Sequence, residues 1–321
     1  MTILVTGAAG FIGYHVARRL AARGERVIGL DSLSEFYGTE LKRRRLLQLS
    51  TFPSFEFRQV DLADRAALAA ALKGESVRLA IHLAAQANVR YALENPHAYV
   101  DSNVVDHLNL LEHFRQAGGI ELLLYASSSS VYGVDNPVPF HEEARTDRPT
   151  SLYAATKKSQ EMMSEVYAGL FGIPQIGLRF FSVYGPWGRP DMAYWLFTEA
   201  ILAGRPIRVF NNGDMRRDFT YIDDVVAGLL AIADAPLGGP PHRIYNIGNS
   251  APVLLLDMIA VLERAIGRKA ELELLPMQPG EVPITYADVS AIQRDFGYRP
   301  NTPLEEGLPK FVEWFRRYHG R

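Results

Sequence analysis

The sequence predicts an α/β fold, in which helices cover both faces of a parallel sheet. Two features of the chain lead to this prediction. Short apolar runs alternate with amphipathic stretches through the first half of the 321 residues, and a glycine-rich segment directly follows the first apolar run. Strands that alternate with helices at this spacing favour parallel pairing, because each helix is long enough to form a crossover connection.

The apolar runs and the amphipathic stretches assign the elements in chain order. The predicted strands are Ile3–Thr6, Arg26–Leu30, Phe55–Val60, Arg78–Leu83, Glu121–Ala126 and Gln175–Phe180. The predicted helices are Phe11–Arg23, Asp64–Lys73, Ala98–Ala117 and Leu152–Phe171.

The character of the sequence changes near residue 181, after which glycine and proline become frequent. We therefore expect residues 1–180 to form a domain built on the sheet. Residues 181–321 are expected to form mainly a smaller α/β lobe that binds the substrate. The segment 219–249 is expected to return to the first domain.

Composition excludes several classes of protein. The net charge is −2, from 34 Lys and Arg against 36 Asp and Glu, so no basic field favours nucleic acid. The absence of cysteine excludes disulfides, thiolate nucleophiles and cysteine-ligated metals, and the histidines lack a metal-binding spacing. No apolar stretch is long enough to span a membrane, and no charged leader precedes the first strand. These features predict a cytoplasmic protein with no metal, membrane or nucleic-acid partner.

A dinucleotide site is predicted where the first strand runs into Gly7, Gly10 and Gly13. Glycines let backbone amides approach a pyrophosphate, and the N-terminus of the following helix adds partial positive charge. Asp31 ends the second predicted strand, where its carboxylate would accept hydrogen bonds from the adenosine ribose and repel a 2′-phosphate. The pattern therefore favours NAD on a Rossmann-type fold. The alternatives are a glycine turn without a ligand and an aspartate that only caps its loop, and we interpret the basic run 42–45 as a solvated helix face.

A catalytic group is predicted at Tyr153 and Lys157, which are four residues apart at the start of a helix and share one face. A lysine ammonium near a tyrosine hydroxyl favours the phenolate and lowers the tyrosine pKa, which makes a base suited to an alcohol substrate. The hydroxyls of residues 127–130 follow the fifth predicted strand, at the sheet edge where α/β proteins bind ligands. They could hydrogen-bond a substrate oxygen or form a polar end to the strand.

These motifs together resemble a known family. The segments 6–13, 82–86, 127–133 and 153–157 are similar to the extended short-chain dehydrogenase/reductases that act on nucleotide sugars, the NAD-dependent epimerase/dehydratase family. The resemblance covers essentially the whole chain. A second, more specific set is similar to the family members that invert carbon 4 of UDP-glucuronate: Ala87–Tyr91, Ser151–Lys158, Arg179–Met192, Met215–Tyr221 and Met277–Pro283.

The resemblance assigns roles to individual residues. It implies that Ser128, Tyr153 and Lys157 are catalytic. It places Arg217 on the UDP phosphates and Arg189 on the glucuronate carboxylate. Further substrate-binding positions are Arg90, Ser128, Ser129, Ser182 (usually Thr in relatives) and Gln278. The implied NAD-binding positions are Gly7, Gly10, Phe11, Ile12, Gly13, Asp31, Ser32, Asp61, Leu62, Leu83, Ala84, Ala85, Gln86, Asn103, Tyr153 and Lys157.

The expected activity is the reversible epimerisation of UDP-glucuronate to UDP-galacturonate through a transient 4-keto sugar, with tightly bound NAD+. The resemblance also implies a homodimer, through the helices around residues 98–117 and 152–171. The sequence itself shows only two long amphipathic helices, which a monomer would also explain. The alternatives are a UDP-glucuronate decarboxylase, a UDP-glucose/UDP-galactose 4-epimerase, a dehydrogenase with exchangeable cofactor and a non-catalytic NAD-binding protein. Relatives that dehydrate or decarboxylate carry acidic residues after the catalytic Ser or Thr. Ser129 and Ser130 occupy those positions here, which disfavours dehydration more strongly than decarboxylation.

Overall fold

The computed structural model describes residues 2–236, 238–277 and 282–320. In chain order its strands are β1 (Thr2–Thr6), β2 (Val27–Asp31), β3 (Phe55–Gln59), β4 (Val77–His82), β5 (Leu122–Ser128), β6 (Gln175–Phe180), β7 (Ser182–Tyr184), β8 (Ile207–Phe210), β9 (Arg216–Tyr221), β10 (His242–Ile247), β11 (Pro252–Leu254) and β12 (Leu272–Leu275). The predicted strands are confirmed, with ends that differ by at most two residues.

The largest sheet has seven strands in the order β3–β2–β1–β4–β5–β6–β10. The pairs from β3 to β5 are parallel. Strand order reverses between β1 and β4, and the crevice at the carboxyl ends of such a pair is where α/β folds bind dinucleotides. The predicted Rossmann-type α/β fold is therefore confirmed. Strand β10, which pairs with β6 at the edge of the sheet, was not predicted as a strand, although it lies within the segment 219–249.

The sheet is buried along its central strands. Leu4, Ile28, Ala80 and Leu123 come from four neighbouring strands and form part of one hydrophobic core. Strands covered on both faces have nearly continuous apolar sequences, because neither face meets water. This is why the first half of the chain could be assigned from apolar runs alone.

The helices connect these strands. They are α1 (Phe11–Ala22), α2 (Glu40–Leu49), α3 (Arg65–Ala71), α4 (Tyr91–Glu94), α5 (Pro96–Val100), α6 (Asp106–Ala117), α7 (Leu152–Phe171), α8 (Ala193–Ala203), α9 (Ile222–Asp234), α10 (Leu255–Ile266), α11 (Ser290–Phe296) and α12 (Leu304–Tyr318). The predicted helix over Ala98–Ala117 is interrupted by a π-helical turn at Asp101–Val105. Such turns occur often at functional sites, and this one carries Asn103.

The described chain forms two units. The segment 134–144, which the sequence analysis placed in the first domain, belongs to the second unit. The Phe140 amide there donates to the Tyr286 carbonyl at 2.7 Å, and Asn246 Nδ2 donates to the Phe140 carbonyl at 2.8 Å. The segment that returns to the first unit is shorter than the predicted 219–249. The first unit comprises the chain up to Gly133, Arg145–Arg179 and Leu229–Tyr245, and the second comprises Val134–Ala144, Phe180–Gly228 and the chain from Asn246.

The second unit contains a three-stranded sheet, β11–β9–β7, and the parallel pair β8 and β12. An aromatic cluster joins its helices, in which Trp195 of α8 contacts Phe311, Trp314 and Phe315 of α12. Within the described ranges, no helix is both long and apolar enough to cross a bilayer. The same residues include no group of three or more His, Asp or Glu side chains placed to hold a metal ion.

Candidate active site

The glycine turn after β1 has the geometry that a dinucleotide phosphate requires. Gly7 has a φ of +68°, and a Cβ there would lie 2.7–2.9 Å from backbone atoms of Leu83 and Ala84. At Gly13, a Cβ would overlap the Gly7 carbonyl, while the Gly10 amide donates to that carbonyl at 2.8 Å. The turn therefore brings the loops after β1 and β4 into contact, and only glycine fits at these positions.

The N-terminus of α1 can accept an anion. Helix α1 begins at Phe11 after Gly10, and among the described residues no side chain caps its first amides. Its first turn also contains no acidic residue. Unsatisfied amides and the partial positive charge of the helix terminus favour a phosphate at this position. Phe11 is buried and Ile12 half-buried, so Ile12 is the more accessible of these two predicted positions.

Asp31 links the glycine turn to the loop after β2. Its Oδ2 accepts from the Ala9 amide at 3.1 Å and its Oδ1 from the Leu33 amide at 2.8 Å. Asp31 therefore has the predicted position at the end of β2, and it also caps its loop, which was the alternative interpretation. Ser32 is exposed beside it, and its carbonyl accepts from Gln59 Nε2 at 3.3 Å.

The interpretation of residues 42–45 as a solvated helix face is wrong for two of the four. Lys42 is 5% exposed and lies 3.9 Å from Asp31 Oδ1, and its ammonium donates to the Ser34 carbonyl at 2.8 Å. Arg45 is fully buried and donates to the Ala9 carbonyl in the glycine turn at 2.8 Å. Lys42 and Arg45 face the cofactor loops because residues three apart lie on the same face of α2, whereas Arg43 and Arg44 are exposed.

The loop after β4 is held by Asn103 in the π-helical turn. Asn103 is fully buried, and its amide group makes three hydrogen bonds: with the Gln86 amide at 2.9 Å, the Gln86 carbonyl at 3.0 Å and Thr156 Oγ1 at 2.9 Å. Its amide is thus engaged with the protein and holds the loop that carries Gln86, and the prediction that Asn103 lines NAD stays a prediction. Asn103 fixes Gln86 relative to α7, while Leu83, Ala84 and Ala85 before Gln86 are half-buried.

The loop after β3 contains Asp61 and Leu62. Asp61 is exposed, and its Oδ1 accepts from the Ala63 amide at 3.0 Å. The Leu62 side chain belongs to the hydrophobic core, so only its backbone could meet a cofactor. Its carbonyl accepts from Asn109 Nδ2 at 2.8 Å.

Tyr153 and Lys157 lie one turn apart on α7, as predicted. Tyr153 is half-buried, and its ring meets the Tyr99 ring edge to face at 6.2 Å between centroids. Lys157 is 1% exposed, and its ammonium donates to the Ala126 carbonyl at 2.9 Å and to Gln160 Oε1 at 3.0 Å. The lysine is therefore held between α7 and the end of β5, just before Ser128.

A buried polar cluster surrounds Lys157. Burial lowers the pKa of Lys157 to about 7, against an opposing effect of the Asp106 carboxylate. The pKa of Asp106 is raised to about 8, mainly by burial. His82 and His107 stack with centroids 5.3 Å apart, and burial lowers the pKa of His82 to about 3 and that of His107 well below its usual value. The two imidazoles are neutral, so the ammonium is the cation of this cluster when Lys157 is protonated.

Ser128, the predicted catalytic serine, lies at the end of β5. Ser128 Oγ donates to Ser130 Oγ and accepts from the Ser130 amide, both at 3.2 Å, in a short 3₁₀ turn over Ser129–Tyr132. Ser129 is half-buried. The preceding hydroxyl, of Ser127, donates to Glu161 Oε1 of α7 at 2.7 Å. Glu161 was not among the predicted site residues, although it lies four residues after Lys157 and therefore one helical turn along the same face.

Arg90 lies at the start of α4, where its amide donates to Asn88 Oδ1 at 2.9 Å. The residue is exposed. Its predicted role as a substrate contact stays a prediction.

Of the other predicted substrate residues, Ser182, Arg189 and Arg217 lie in the second unit. Ser182 begins β7 and pairs with Phe219. Arg217, in β9, donates from Nη1 to the Arg216 carbonyl at 3.0 Å and to the Pro283 carbonyl at 3.3 Å. Gln278 lies outside the described residues.

Arg189 forms an ion pair within its own loop. Its Nε donates to Asp191 Oδ1 at 3.0 Å, and its Nη2 donates to Asp191 Oδ2 at 2.6 Å. The guanidinium and the carboxylate thus meet side-on through two parallel hydrogen bonds. This ion pair was not predicted, although the two residues are only two positions apart in sequence.

Comparisons with known proteins agree with this geometry. Residues 3–248 match the NAD dependent epimerase/dehydratase family. The chain is 45% identical to UDP-glucuronate 4-epimerase 2 of Arabidopsis thaliana, over 99% of this chain and 76% of that protein. UDP-glucuronic acid 4-epimerase from Bacillus cereus, solved with UDP-glucuronic acid and NAD, is similar with a TM-score of 0.92 at 33% identity, over 99% of this chain and 100% of that one.

A relative with a different activity is also similar in structure. DesIV from Streptomyces venezuelae, a dTDP-glucose 4,6-dehydratase solved with NAD, has a TM-score of 0.91 at 28% identity, over 100% of this chain and 98% of that one. The fold alone therefore does not select one reaction within this group. The family model covers more than half of the chain, and the predicted family is confirmed. The chain belongs to the NAD-dependent epimerase/dehydratase family.

Proposed function

We propose that the protein is an NAD-dependent UDP-glucuronate 4-epimerase, which interconverts UDP-glucuronate and UDP-galacturonate. The observation that carries the proposal is the arrangement of the first unit. Tyr153 and Lys157 share one face of α7, and Lys157 is hydrogen-bonded to the strand that ends at Ser128. The names of the Arabidopsis and Bacillus relatives support glucuronate as the sugar acid.

The first unit is assigned to NAD. The phosphate-binding turn at Gly7, the uncapped start of α1 and the carboxylate of Asp31 fit the pyrophosphate and the adenosine ribose of this cofactor. Bound NAD+ supplies reversible oxidation at carbon 4 of the sugar. Since each turnover regenerates NAD+, the cofactor does not need to exchange between turnovers, and tight binding of the cofactor is expected.

Tyr153 is assigned as the base that removes the proton of the sugar 4-hydroxyl and later returns it. The ammonium of Lys157 stabilises the phenolate, and a phenolate in turn favours the protonated lysine, so the two charges support each other. Ser128 is assigned to hydrogen-bond the same sugar oxygen. The 4-keto sugar then rotates and is reduced on its opposite face.

The substrate carboxylate makes decarboxylation a possible side reaction of the 4-keto sugar. Once carbon 4 is a ketone, the sugar is a β-keto acid, which loses carbon dioxide when the bond from carbon 5 to the carboxylate aligns with the carbonyl π system. Arg189 is assigned to hold the carboxylate out of alignment, with hydroxyls such as Ser182. Arg217 is assigned to the UDP phosphates, and the second unit as a whole to the UDP-sugar.

Ser129 and Ser130 separate this activity from dehydration. Elimination of water needs an additional acid and base to move protons at carbons 5 and 6 of the sugar. Serine hydroxyls are poor proton carriers near neutral pH, so these positions favour epimerisation. Decarboxylation needs no such pair, and it is the alternative that the experiment below distinguishes.

A homodimer through α6 and α7 is part of the proposal. Met162, Val166 and Leu170 recur at four-residue intervals on α7, with exposures of 61%, 52% and 71%, and Leu108 of α6 is 38% exposed. An apolar stripe of this length on a long helix favours pairing with a second copy. The cytoplasmic location expected from the sequence stays a prediction.

The test is to incubate the purified protein with UDP-glucuronate, without added cofactor, and to identify the products by proton NMR. UDP-galacturonate without carbon dioxide is the expected result. UDP-xylose or a 4-keto pentose would instead identify a decarboxylase. Turnover of UDP-glucose but not of UDP-glucuronate would show that the sugar acid has been assigned wrongly.

A further inference from the structure

The loop that carries Arg189 is held in place on both sides of this residue. The Arg189 amide donates to the Tyr194 hydroxyl at 3.3 Å, and the Met192 amide donates to the Arg189 carbonyl at 3.3 Å. Trp187 has a φ of +60°, unusual for a bulky residue, and its ring contacts Trp314 with centroids 5.3 Å apart. The backbone that carries the guanidinium is therefore fixed before any ligand binds.

Asp191 fixes the guanidinium itself. The carboxylate takes the edge formed by Nε and Nη2 of Arg189, and the two side chains are only 24% and 16% exposed. An arginine side chain has several rotatable bonds, and a bidentate partner restricts them all at once. In the proposed complex, the substrate carboxylate would bind along the end formed by the two terminal nitrogens, since Asp191 takes the edge of Nε.

We propose that Asp191 is a positioning residue for Arg189. It sets the orientation in which the guanidinium binds the substrate carboxylate, and thereby determines whether the 4-keto sugar is decarboxylated. This inference rests on the proposed function. Asp191 also places a negative charge near the incoming carboxylate, which repels it. Asp191 therefore weakens the net attraction of this site for the glucuronate carboxylate, but it fixes the direction of the hydrogen bonds that Arg189 donates to that carboxylate.

Loss of the Asp191 charge would therefore remove a repulsion that weakens substrate binding. It would also free the guanidinium to turn, which lowers the purity of the product. If the guanidinium turns, the carboxylate can rotate until its bond to carbon 5 aligns with the ketone. That bond then breaks, carbon dioxide leaves, and the electron pair forms the enolate of a 4-keto pentose. Carbon 5 takes up a proton from solvent or from an acid side chain, and return of the hydride to carbon 4 then gives a UDP-pentose, whereas release before that return gives the 4-keto pentose.

The variant Asp191→Asn tests the proposal, because it removes the negative charge and weakens the second hydrogen bond with little change of shape. We expect the ratio of UDP-pentose to UDP-galacturonate to rise by about tenfold, as loss of one charge-assisted hydrogen bond implies. The KM for UDP-glucuronate should not rise, because the repulsive charge has been removed. By contrast, Arg189→Ala should raise both the pentose ratio and the KM.

Asp147→Asn is the matched control. Asp147 pairs with Arg145 through the same two hydrogen bonds, at 2.6 and 2.7 Å and at the same spacing in sequence, but in an exposed segment. This variant should leave product ratio and KM unchanged. Asp191→Glu provides a second variant if the asparagine fails to fold, since it keeps the charge but moves the guanidinium, and it should also raise the pentose ratio.

Two results would overturn the inference. An unchanged pentose ratio in folded Asp191 variants would show that Asp191 does not orient the arginine. A higher KM with an unchanged ratio would assign Asp191 to binding alone. Failure of the proposed function itself is distinguishable, since the unmodified protein would then make no UDP-galacturonate.

Discussion

Ser127 Oγ donates a 2.7 Å hydrogen bond to Glu161 Oε1, which ties the end of β5 to the helix of Tyr153 and Lys157. Glu161 also receives two hydrogen bonds from Arg179 of β6, at 2.8 and 2.9 Å. Burial by itself would raise the pKa of Glu161, but Arg179 and Ser127 lower it below the usual range. The carboxylate is thus ionised, and it joins β5, β6 and α7 around the proposed catalytic group.

The substitution Ser127→Ala should lower kcat by a factor of about 10 to 100, with little change in KM. The ion pair of Glu161 and Arg179 stays intact, so the protein should fold and lose only about 1 kcal/mol of unfolding free energy. The strand end that carries Ser128 loses its connection to α7, and small displacements of catalytic groups are costly in rate. Steady-state kinetics and urea unfolding measure the two effects.

Lys158→Ala is the control for Ser127→Ala, because Lys158 contacts the other oxygen of the same carboxylate at 3.1 Å and is partly exposed. Its kcat should stay within about twofold of the unmodified protein, since exposed ion pairs contribute little. Equal losses of kcat in both variants would mean that the carboxylate acts only through general stability.

Removal of the Asn103 amide should weaken the retention of NAD. In Asn103→Ala, the Gln86 amide and carbonyl lose their partners inside the protein, at a cost of about 2–3 kcal/mol. The loop of residues 83–86 then loses its fixed position beside the glycine turn. The NAD content of the purified variant should fall, whereas Asn95→Ala, at an exposed asparagine, should retain full content. Equal content in the two variants would contradict the positioning role.

The positions of Asp31 and Lys42 lead to a prediction about selectivity between NAD and NADP. In Asp31→Ser the carboxylate that disfavours a 2′-phosphate is gone, while the Lys42 ammonium remains nearby. Binding of NADP relative to NAD should rise on the order of 100-fold, from Coulomb energies at short range. Titration of apo-protein with both cofactors measures this ratio. Arg44→Ala on the exposed face of α2 should leave the ratio unchanged, and an unchanged ratio in Asp31→Ser would refute the assignment.

The neutral buried histidines predict a loss of stability in acid. The unfolded chain protonates His82 near its ordinary pKa of 6.5, whereas in the folded chain burial lowers the pKa to about 3. The unfolded state therefore binds more protons between these values, and the free energy of unfolding falls as pH falls through this window. His82 alone accounts for about 2 kcal/mol by pH 5. His82→Asn should lose less stability between pH 7 and pH 5 in urea unfolding, and exposed His141→Gln should behave like the unmodified protein.

Local sequence patterns predicted the fold and the placement of Tyr153 and Lys157 on one helix. Buried parallel strands have nearly continuous apolar sequences, and α7 was predicted with its observed ends, Leu152–Phe171. The glycine turn and the spacing of Tyr153 and Lys157 are local features, since each depends on a few consecutive residues. The positions of these groups therefore follow from the sequence alone.

The supporting contacts could not be predicted in the same way, because they join distant segments. The bond from Ser127 to Glu161 spans 34 residues, and the contact of Asn103 with Thr156 spans 53. Their partners are known only when the strand order is known. Lys42 was misinterpreted for the same reason, since the fold buries it beside Asp31.

The central claim is that carbon 4 is oxidised and reduced again within one bound sugar. The most direct test uses UDP-glucuronate deuterated at carbon 4, mixed with a copy that is undeuterated and labelled with carbon-13. We expect UDP-galacturonate that retains deuterium at carbon 4, with no deuterium in the carbon-13 copy. Loss of deuterium to solvent, or its transfer between the two copies, would contradict the account.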